Sequence, residues 1–260
     1  MGFYFSPRGG SAHACRAIAA ELERQGFDVS LVAGSRTDLG AHADAERFFA
    51  GRDVSAVDFT PALSTGTPLR SAGVPGTAPI HASYEDRPGA EDPVFASLGV
   101  HDFESQVAAW TEAMEDAGAG SADLLYLHHL TPLNEVAARS FPNTPVLGHV
   151  HGSELLMLER IADGAPAGWA HADRWVERIC EWAASCARIV VNSSEGRKRA
   201  ARRSIWRGSK SGSKPFGIRT KRSGSRSSSR AARLRPSLEL TTIRAQLAAH
   251  SQIRSTQRSA

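Results

Sequence analysis

The chain has 260 residues, of which 41% are hydrophobic, so it is long enough for one large or two small domains with a globular core. No apolar run approaches the length of a membrane span, and the opening MGFYFSP is too short and lacks the basic flank of a signal peptide, which predicts a cytoplasmic protein. The three cysteines show no CxxC spacing, which argues against a disulfide framework and against a cysteine-based zinc site.

The formal net charge of +4 conceals two parts of opposite charge. Residues 204–260 hold thirteen Lys and Arg against one acidic residue, a net charge of +12. Residues 1–203 hold 18 basic and 26 acidic residues, a net charge of −8. The sequence therefore predicts a mildly acidic globular domain over residues 1–203, followed by a basic tail over residues 204–260.

The first fifty residues predict a β-loop-α-β unit. Residues 2–6 read as a strand, which the sequence PRGGS breaks. Ser11 is a candidate N-cap for the helix that follows, Gly26 ends this helix, and residues 29–32 read as the second strand. The glycine-rich turn is neither GxGxxG nor a Walker A loop. Gly9 and Gly10 either let the backbone approach a phosphate at the helix N-terminus or only form a tight turn, and this segment alone favours the tight turn.

The middle of the sequence predicts a helix around residues 41–49, a strand at 54–59 and a long loop over 60–93. A loop of this length inside a compact domain is usually functional or disordered. Two interpretations stay open for its polar centre, which either meets a polar substrate or is a solvated surface. This centre consists of His81, Tyr84, Glu85, Asp86 and Arg87.

Two short apolar runs, 124–127 and 146–150, each end in histidine and are each followed by a helix signal. Such runs, separated by a helical segment, predict parallel buried strands. Thr131 and Pro132 form the first helix start, and Ser153 is a candidate cap for the second helix. Flanking helices with aromatic residues on one face, together with a strand at 189–192, complete a predicted open α/β sheet.

Histidines close to the strand ends are the first candidate functional residues. His128, His129 and His151 fall at the carboxyl ends of the predicted strands, where ligands bind in open α/β sheets. As metal ligands they would need further partners, and the sequence shows no HExxH motif or carboxylate partner. As hydrogen-bonding groups they would orient sugar or phosphate oxygens. His149 is interpreted as a structural histidine, and His151 as the best functional candidate.

Four segments in register resemble the N-terminal domain of a family 4 glycosyltransferase of the GT-B fold, especially the actinobacterial type. The resemblance runs from about residue 2 to residue 203 and implies an α/β fold, with a Rossmann-like parallel sheet and helices on both faces. Such a domain is one half of a GT-B fold. The segments are SPRGGSAHACRAIAAELERQGFDVSLVAG, LHHLTPLNEVAA, GHVHGSELLMLE and RIVVNSSEGRKRAA.

This resemblance implies retaining transfer of a glycosyl group from a nucleotide sugar to a small-molecule, glycan or lipid acceptor, in a cleft between two Rossmann-like domains. It implies a catalytic role for His151 beside the transferred sugar, and no metal or other cofactor. The implied substrate-binding residues are Gly9, Gly10, Ser11, His129, Gly152 and Glu154. No nucleic-acid partner is expected from the resemblance, and peripheral contact with a membrane stays open.

The second domain of that family should follow, with a Val-Pro-Asn-Gly turn, basic residues for the donor diphosphate and a Glu-rich motif, and none of these occurs here. Neutralising the leaving diphosphate is a large electrostatic contribution to such a reaction. The chain alone is therefore expected to be inactive. The alternative is a non-catalytic module that binds a glycan or another acceptor.

Three interpretations of the basic tail arise from its Ser, Arg and Gly composition: a disordered segment, an arginine-rich RNA-binding segment, or a frameshifted translation of the missing domain. Trp206 is encoded by TGG. If a CGN codon for Arg207 follows, the frame one nucleotide ahead reads GGC at this point, which encodes glycine. The codons of residues 219–222 permit Val-Pro-Asn-Gly in the same frame. We favour the frameshift.

The frameshift hypothesis predicts that the gene, read one nucleotide ahead from about residue 199, stays open through a Val-Pro-Asn-Gly turn into a second Rossmann-like domain. Resequencing this region and reading it in all frames checks the prediction. If the present frame is confirmed and the shifted frame closes quickly, the hypothesis is wrong and the binding module takes the lead.

Overall fold

The computed structural model describes residues 1–64, 79–86 and 92–191, with the backbone alone at 63 and 64. Within these residues six parallel strands form one sheet in the order β3-β2-β1-β4-β5-β6. This arrangement confirms the predicted α/β, Rossmann-like fold class. The basic tail over residues 204–260 lies outside the described residues. The strands are β1 (Gly2–Phe3), β2 (Ser30–Ser35), β3 (Asp53–Asp58), β4 (Leu125–His128), β5 (Val146–Val150) and β6 (Arg188–Val191).

Helices pack on both faces of this sheet. Seven α-helices fall within the described residues: α1 (Gly9–Arg24), α2 (Ala45–Phe48), α3 (Thr60–Ser64), α4 (Val100–Asp116), α5 (Pro132–Ser140), α6 (Ser153–Gly164) and α7 (Ala172–Ser185). Side chains of α1 and α2 pack with Phe3, Leu31 and Ala33 on one face. The larger core on the other face contains Trp110 of α4 and Trp182 of α7, together with apolar residues of α5 and α6. One face of α4 carries Phe103, Val107, Trp110 and Met114, whose helical spacing predicts a core face. All four side chains are buried.

Alternation along the strands decides which face each side chain meets. Ile18 of α1 packs on Tyr126 and Leu147, whereas Leu127 and Val150 belong to the core on the opposite face. Since neighbouring side chains of a strand point to opposite faces, His128 and His149 share the face of α1.

The start of the chain differs from its prediction in two ways. Strand β1 ends at Phe3 rather than at residue 6, and Tyr4 instead turns into the aromatic core, where its ring lies 5.2 Å from that of Phe95. Helix α1 begins at Gly9 with Arg8 as N-cap, so the predicted cap at Ser11 is wrong. The glycine pair therefore forms the first turn of the helix instead of a loop before it.

The other predicted element boundaries differ less from those in the structure. The helix predicted over 41–49 is only the four residues of α2, because Asp44 caps its first turn by accepting a hydrogen bond from the Arg47 amide. The predicted helix start at Thr131 and Pro132 is confirmed, with the Asn134 side chain accepting from the Thr131 amide at 3.0 Å. Helix α6 has Gly152 rather than the predicted Ser153 at its N-cap.

Residues 79–84 of the predicted 60–93 loop are buried rather than part of a solvated surface. His81 and Tyr84 are 1% and 2% exposed, and the Tyr84 hydroxyl donates to the carbonyl oxygen of Leu130. Glu85 and Asp86 are exposed, while Arg87 lies outside the described residues. Residues 79–84 pack against His129 and Leu130, which follow β4. The buried side chains of this segment, among them His81 and Tyr84, fill the core there.

Tight backbone packing fixes two glycines of the sheet. A Cβ at Gly34 of β2 would lie 2.2 Å from the Tyr4 carbonyl oxygen and 2.6 Å from the Phe59 ring. A Cβ at Gly148 of β5 would lie 2.8 Å from the Sγ of Cys186, the residue that follows α7. Both contacts let an irregular segment approach the sheet more closely than any side chain would permit.

Gly34→Ala is therefore expected to destabilise the domain by about 2–3 kcal/mol, because the methyl group must displace backbone rather than the end of a flexible side chain. The midpoint of urea unfolding measures this change. The control is Gly120→Ala, whose Cβ would make only an ordinary contact of 3.8 Å with Phe141. Equal stability of the two variants would contradict the close approach at Gly34.

Candidate functional site

The sheet order places the candidate site between β1 and β4. From β1 the strands run outward in one direction through β2 and β3, and in the other direction through β4, β5 and β6. Ligands of open α/β sheets bind where the order reverses, at the carboxyl ends of the strands. Here Phe3 pairs with His128, the last residues of β1 and β4, so the glycine-rich turn and His129 both leave the sheet at this point. The rings of Phe5 and His129 meet edge to face, 4.9 Å apart.

The first turn of α1 is open to a ligand. Gly9 and Gly10 are exposed, and a Cβ at either would meet no heavy atom of the described residues within 4 Å. Gly9 has φ +77°, a conformation that favours glycine. No side chain in the described part of the chain caps this helix, and its first turn contains no acidic residue. Its free N–H groups and the positive end of the helix dipole therefore favour an anion.

A charged cluster surrounds the start of this turn. The Arg8 guanidinium lies 2.9 Å from Asp92, whose carboxylate is also 2.9 Å from Nδ1 of His81 and 3.8 Å from Arg36. Burial alone raises the pKa of Asp92, but the hydrogen bonds from His81 and Arg8 outweigh it and lower the pKa to about 2. Burial also lowers the pKa of His81, so a neutral imidazole meets the carboxylate at pH 7. These contacts connect the glycine turn to the loop around residue 81.

His129 has an unusual backbone conformation at the end of β4. Its φ is +67°, the one positive value for a non-glycine residue in the described chain. Such a conformation is rare for residues with a side chain and persists where the surroundings fix it. Its amide donates to the His149 carbonyl at 2.8 Å, and its Nδ1 lies 3.3 Å from Glu154. Its Nε2 is buried without a hydrogen-bond partner among the described residues.

The turn after β5 is organised by Glu154. Its fully buried carboxylate accepts from the amide of Gly152 at 2.9 Å and from that of His151 at 3.3 Å. Burial raises the pKa of Glu154, but the interaction with His129 and hydrogen bonds from the amides of Gly152 and Glu154 itself outweigh this effect and lower the pKa. Gly152 adopts φ +117°, which favours glycine. Glu154 therefore holds His151 and Gly152 in place at the N-terminus of α6.

Three imidazoles stack on the α1 face of the sheet. His128 pairs with His149 across β4 and β5, and His151 follows two residues later on the same side. The ring centroids of His149 and His151 lie 4.2 Å apart, and Nδ1 of His128 lies 2.9 Å from Nε2 of His151. His128 and His149 are fully buried, and His151 is partly buried. Burial and the neighbouring histidines lower the pKa of both His128 and His151 well below its usual range.

The predicted site residues thus fall into two adjoining groups. Gly9, Gly10 and Ser11 lie in the first turn of α1, while His129, His151, Gly152 and Glu154 surround the ends of β4 and β5. Spacing along the sequence does not group His149 with His128 and His151. In the structure, one ring nitrogen of each of the three lies within 4.8 Å of the other two. Nδ1 of His149 has a hydrogen-bond partner in the Tyr126 hydroxyl, whose oxygen lies 2.9 Å away. The missed signal is the strand register, which spacing along one chain does not reveal.

No family model, curated protein or solved structure gave a significant match to the chain. None of the helices in the described residues is both long enough and apolar enough to cross a bilayer.

Asp92→Asn is expected to destabilise the domain by about 1–3 kcal/mol at pH 7, because the buried partners lose a charged acceptor. The pKa of Asp92 in the folded state, about 2, lies below its ordinary value of 3.8. Its contribution is therefore complete above pH 3.8 and is lost as the pH falls towards 2. The difference in unfolding free energy between wild type and variant should shrink over this window.

The matched control for this prediction is Asp28→Asn, since Asp28 is exposed to solvent. Its effect on the free energy of unfolding at pH 7 should be small, because the side chain is exposed. Chemical denaturation at a series of pH values measures both variants. The buried pairing of Asp92 is contradicted if the difference in unfolding free energy between the wild type and Asp92→Asn stays constant down to pH 2.

Proposed function

We propose that this domain is the acceptor-side half of a retaining glycosyltransferase that uses a nucleotide sugar. The observation that carries the proposal is the meeting of an open helix N-terminus and a group of buried imidazoles at the switch point between β1 and β4. An anion site next to neutral hydrogen-bonding groups suits a ligand that has both phosphates and sugar hydroxyls. The resemblance of four sequence segments to family 4 glycosyltransferases agrees with this chemistry.

The donor diphosphate would lie against the first turn of α1. There the amide groups of Gly10 and Ser11 offer hydrogen bonds, and the absence of a side chain at Gly10 leaves room for close approach. Arg8 adds positive charge at the N-cap, with its side chain 36% exposed. Neutralising the charge that develops on a leaving diphosphate is a large part of catalysis in such transfers.

His151 would contact the transferred sugar. Because burial keeps its imidazole neutral at pH 7, the ring acts as a hydrogen-bond partner of a hydroxyl group rather than as a cation. His129 lies next to it, with ring centroids 4.4 Å apart, and is the candidate acceptor contact. Glu154 holds the turn that carries His151 and thereby positions the catalytic imidazole.

Gly10→Asp tests the phosphate site. A Cβ at this position meets no described heavy atom within 4 Å, and an acidic residue in the first turn favours the helix, so the domain should fold at least as stably as the wild type. The added carboxylate should repel a diphosphate and weaken binding by tenfold or more. Isothermal titration with UDP-glucose, GDP-mannose and the free nucleoside diphosphates measures the affinity.

The control is Gly120→Asp, which adds the same charge next to the amino end of β4, at the opposite edge of the sheet. It should bind the nucleotides as the wild type does. Equal affinity of the two variants would exclude a phosphate at the first turn of α1, and failure of the wild type to bind any of the nucleotides would overturn the proposal for this chain.

Turnover distinguishes an enzyme from a binding module. Release of nucleoside diphosphate from either donor by the purified chain, lost in His151→Asn, would identify a transferase that is active by itself. Binding of nucleotide sugar without release is the result expected if catalysis needs a further domain. Binding of oligosaccharides without any affinity for nucleotides would instead identify the glycan-binding module.

A further inference from the structure

Imidazoles from two neighbouring strands converge on the α1 face of the sheet. The register pairs His128 directly with His149, and the alternation of β5 returns His151 to the same side. One ring nitrogen of each lies within 4.8 Å of the others. Imidazole nitrogens are the ligand type that zinc and related divalent metals prefer.

We propose that His128, His149 and His151 bind a divalent transition-metal ion, with zinc as the natural occupant. This site goes beyond the proposed glycosyl transfer and does not depend on it. Three histidines supply three of the four ligands of a tetrahedral zinc ion and leave the fourth position to water or a substrate oxygen. His151 is the partly exposed member of the three and follows the last residue of β5.

A hydrogen bond orients one of the ligands. The Tyr126 hydroxyl lies 2.9 Å from Nδ1 of His149. Partners of this kind fix the tautomer and the ring orientation, and their loss typically costs about 10–100-fold in metal affinity. With Zn–N bonds of about 2.0–2.1 Å the ligand nitrogens of a tetrahedral site lie about 3.3 Å apart. The rings of His149 and His151 stack with 18° between their planes, so the imidazoles must turn until their lone pairs point to one ion.

Cobalt is the probe for the experiment, since tetrahedral Co²⁺ absorbs visible light and Zn²⁺ displaces it from the same ligands. The purified full chain, treated with chelator and dialysed, is titrated with Co²⁺ and then with Zn²⁺. We expect about one Co²⁺ per chain with a tetrahedral spectrum that Zn²⁺ abolishes, and a rise in Tm with either ion. Absence of this spectrum in a folded wild type, together with an unchanged Tm, overturns the proposal.

His151→Asn should weaken Co²⁺ binding at least tenfold and remove the tetrahedral spectrum. His101→Asn is the matched control, because His101 is an exposed histidine of α4, outside the cluster. It should bind as the wild type does. Loss of the spectrum in both variants, or in neither, contradicts the assignment of the ligands.

Tyr126→Phe keeps the ring and the packing of Tyr126 and removes only the hydroxyl that contacts His149. It should retain a tetrahedral spectrum with affinity lowered about 10–100-fold. This variant decides the question if His151→Asn fails to fold, because unchanged affinity in Tyr126→Phe would then contradict the site. Loss of nucleotide binding with intact metal binding would count against the proposed function alone.

Discussion

The hydrogen-bonded register between β4 and β5 decides which side chains meet at the carboxyl edge of the sheet. Leu125 pairs with Val146, and the ladder continues to His128 opposite His149. A slip by one residue would turn the β5 histidines into the apolar core on the opposite face and bring Val150 towards α1. Since Leu127 and Val150 are buried in the core on one face, their neighbours His128 and His149 are held on the other face. The polar cluster is thus held in place by the packing of its neighbours.

The carboxyl edge combines two kinds of electrostatic environment. At the start of α1 the free amides and the helix dipole favour an anion, and Arg8 beside them is paired with Asp92. A few residues away burial keeps imidazoles neutral and close-packed, with Glu154 as the buried carboxylate that binds the turn at His151 and Gly152. Between them the ring of Phe5 contacts that of His129 edge to face. A ligand that bridges the two regions would be recognised by its charge at one end and by its hydroxyl groups at the other.

Much of the fold follows from local patterns in the sequence. Apolar runs and helix starts such as Thr131 and Pro132 located β4, β5 and α5 within a residue or two, because burial on both sides and capping leave strong local signals. The helix start at Gly9 was not predictable in this way, since no capping side chain marks it. Nor was the burial of His81 and Tyr84, which depends on contacts with segments distant in the chain.

The candidate site was predictable in its parts but not in its assembly. Spacing identified His151 and the glycine turn, whereas the convergence of His149 with His128 required the strand pairing. The positive φ of His129 likewise had no local signal, because glycine or asparagine usually marks such a position.

The contact between Gly148 and Cys186 gives the domain a built-in chemical reporter. Burial raises the pKa of the Cys186 thiol to about 11, and its Sγ lies against the backbone of β5 where thiol reagents have no access. A thiol in that state reacts only when the segment between α7 and β6 separates from the sheet. The rate at which Cys186 is alkylated would therefore record how often this edge of the domain opens, without any introduced label.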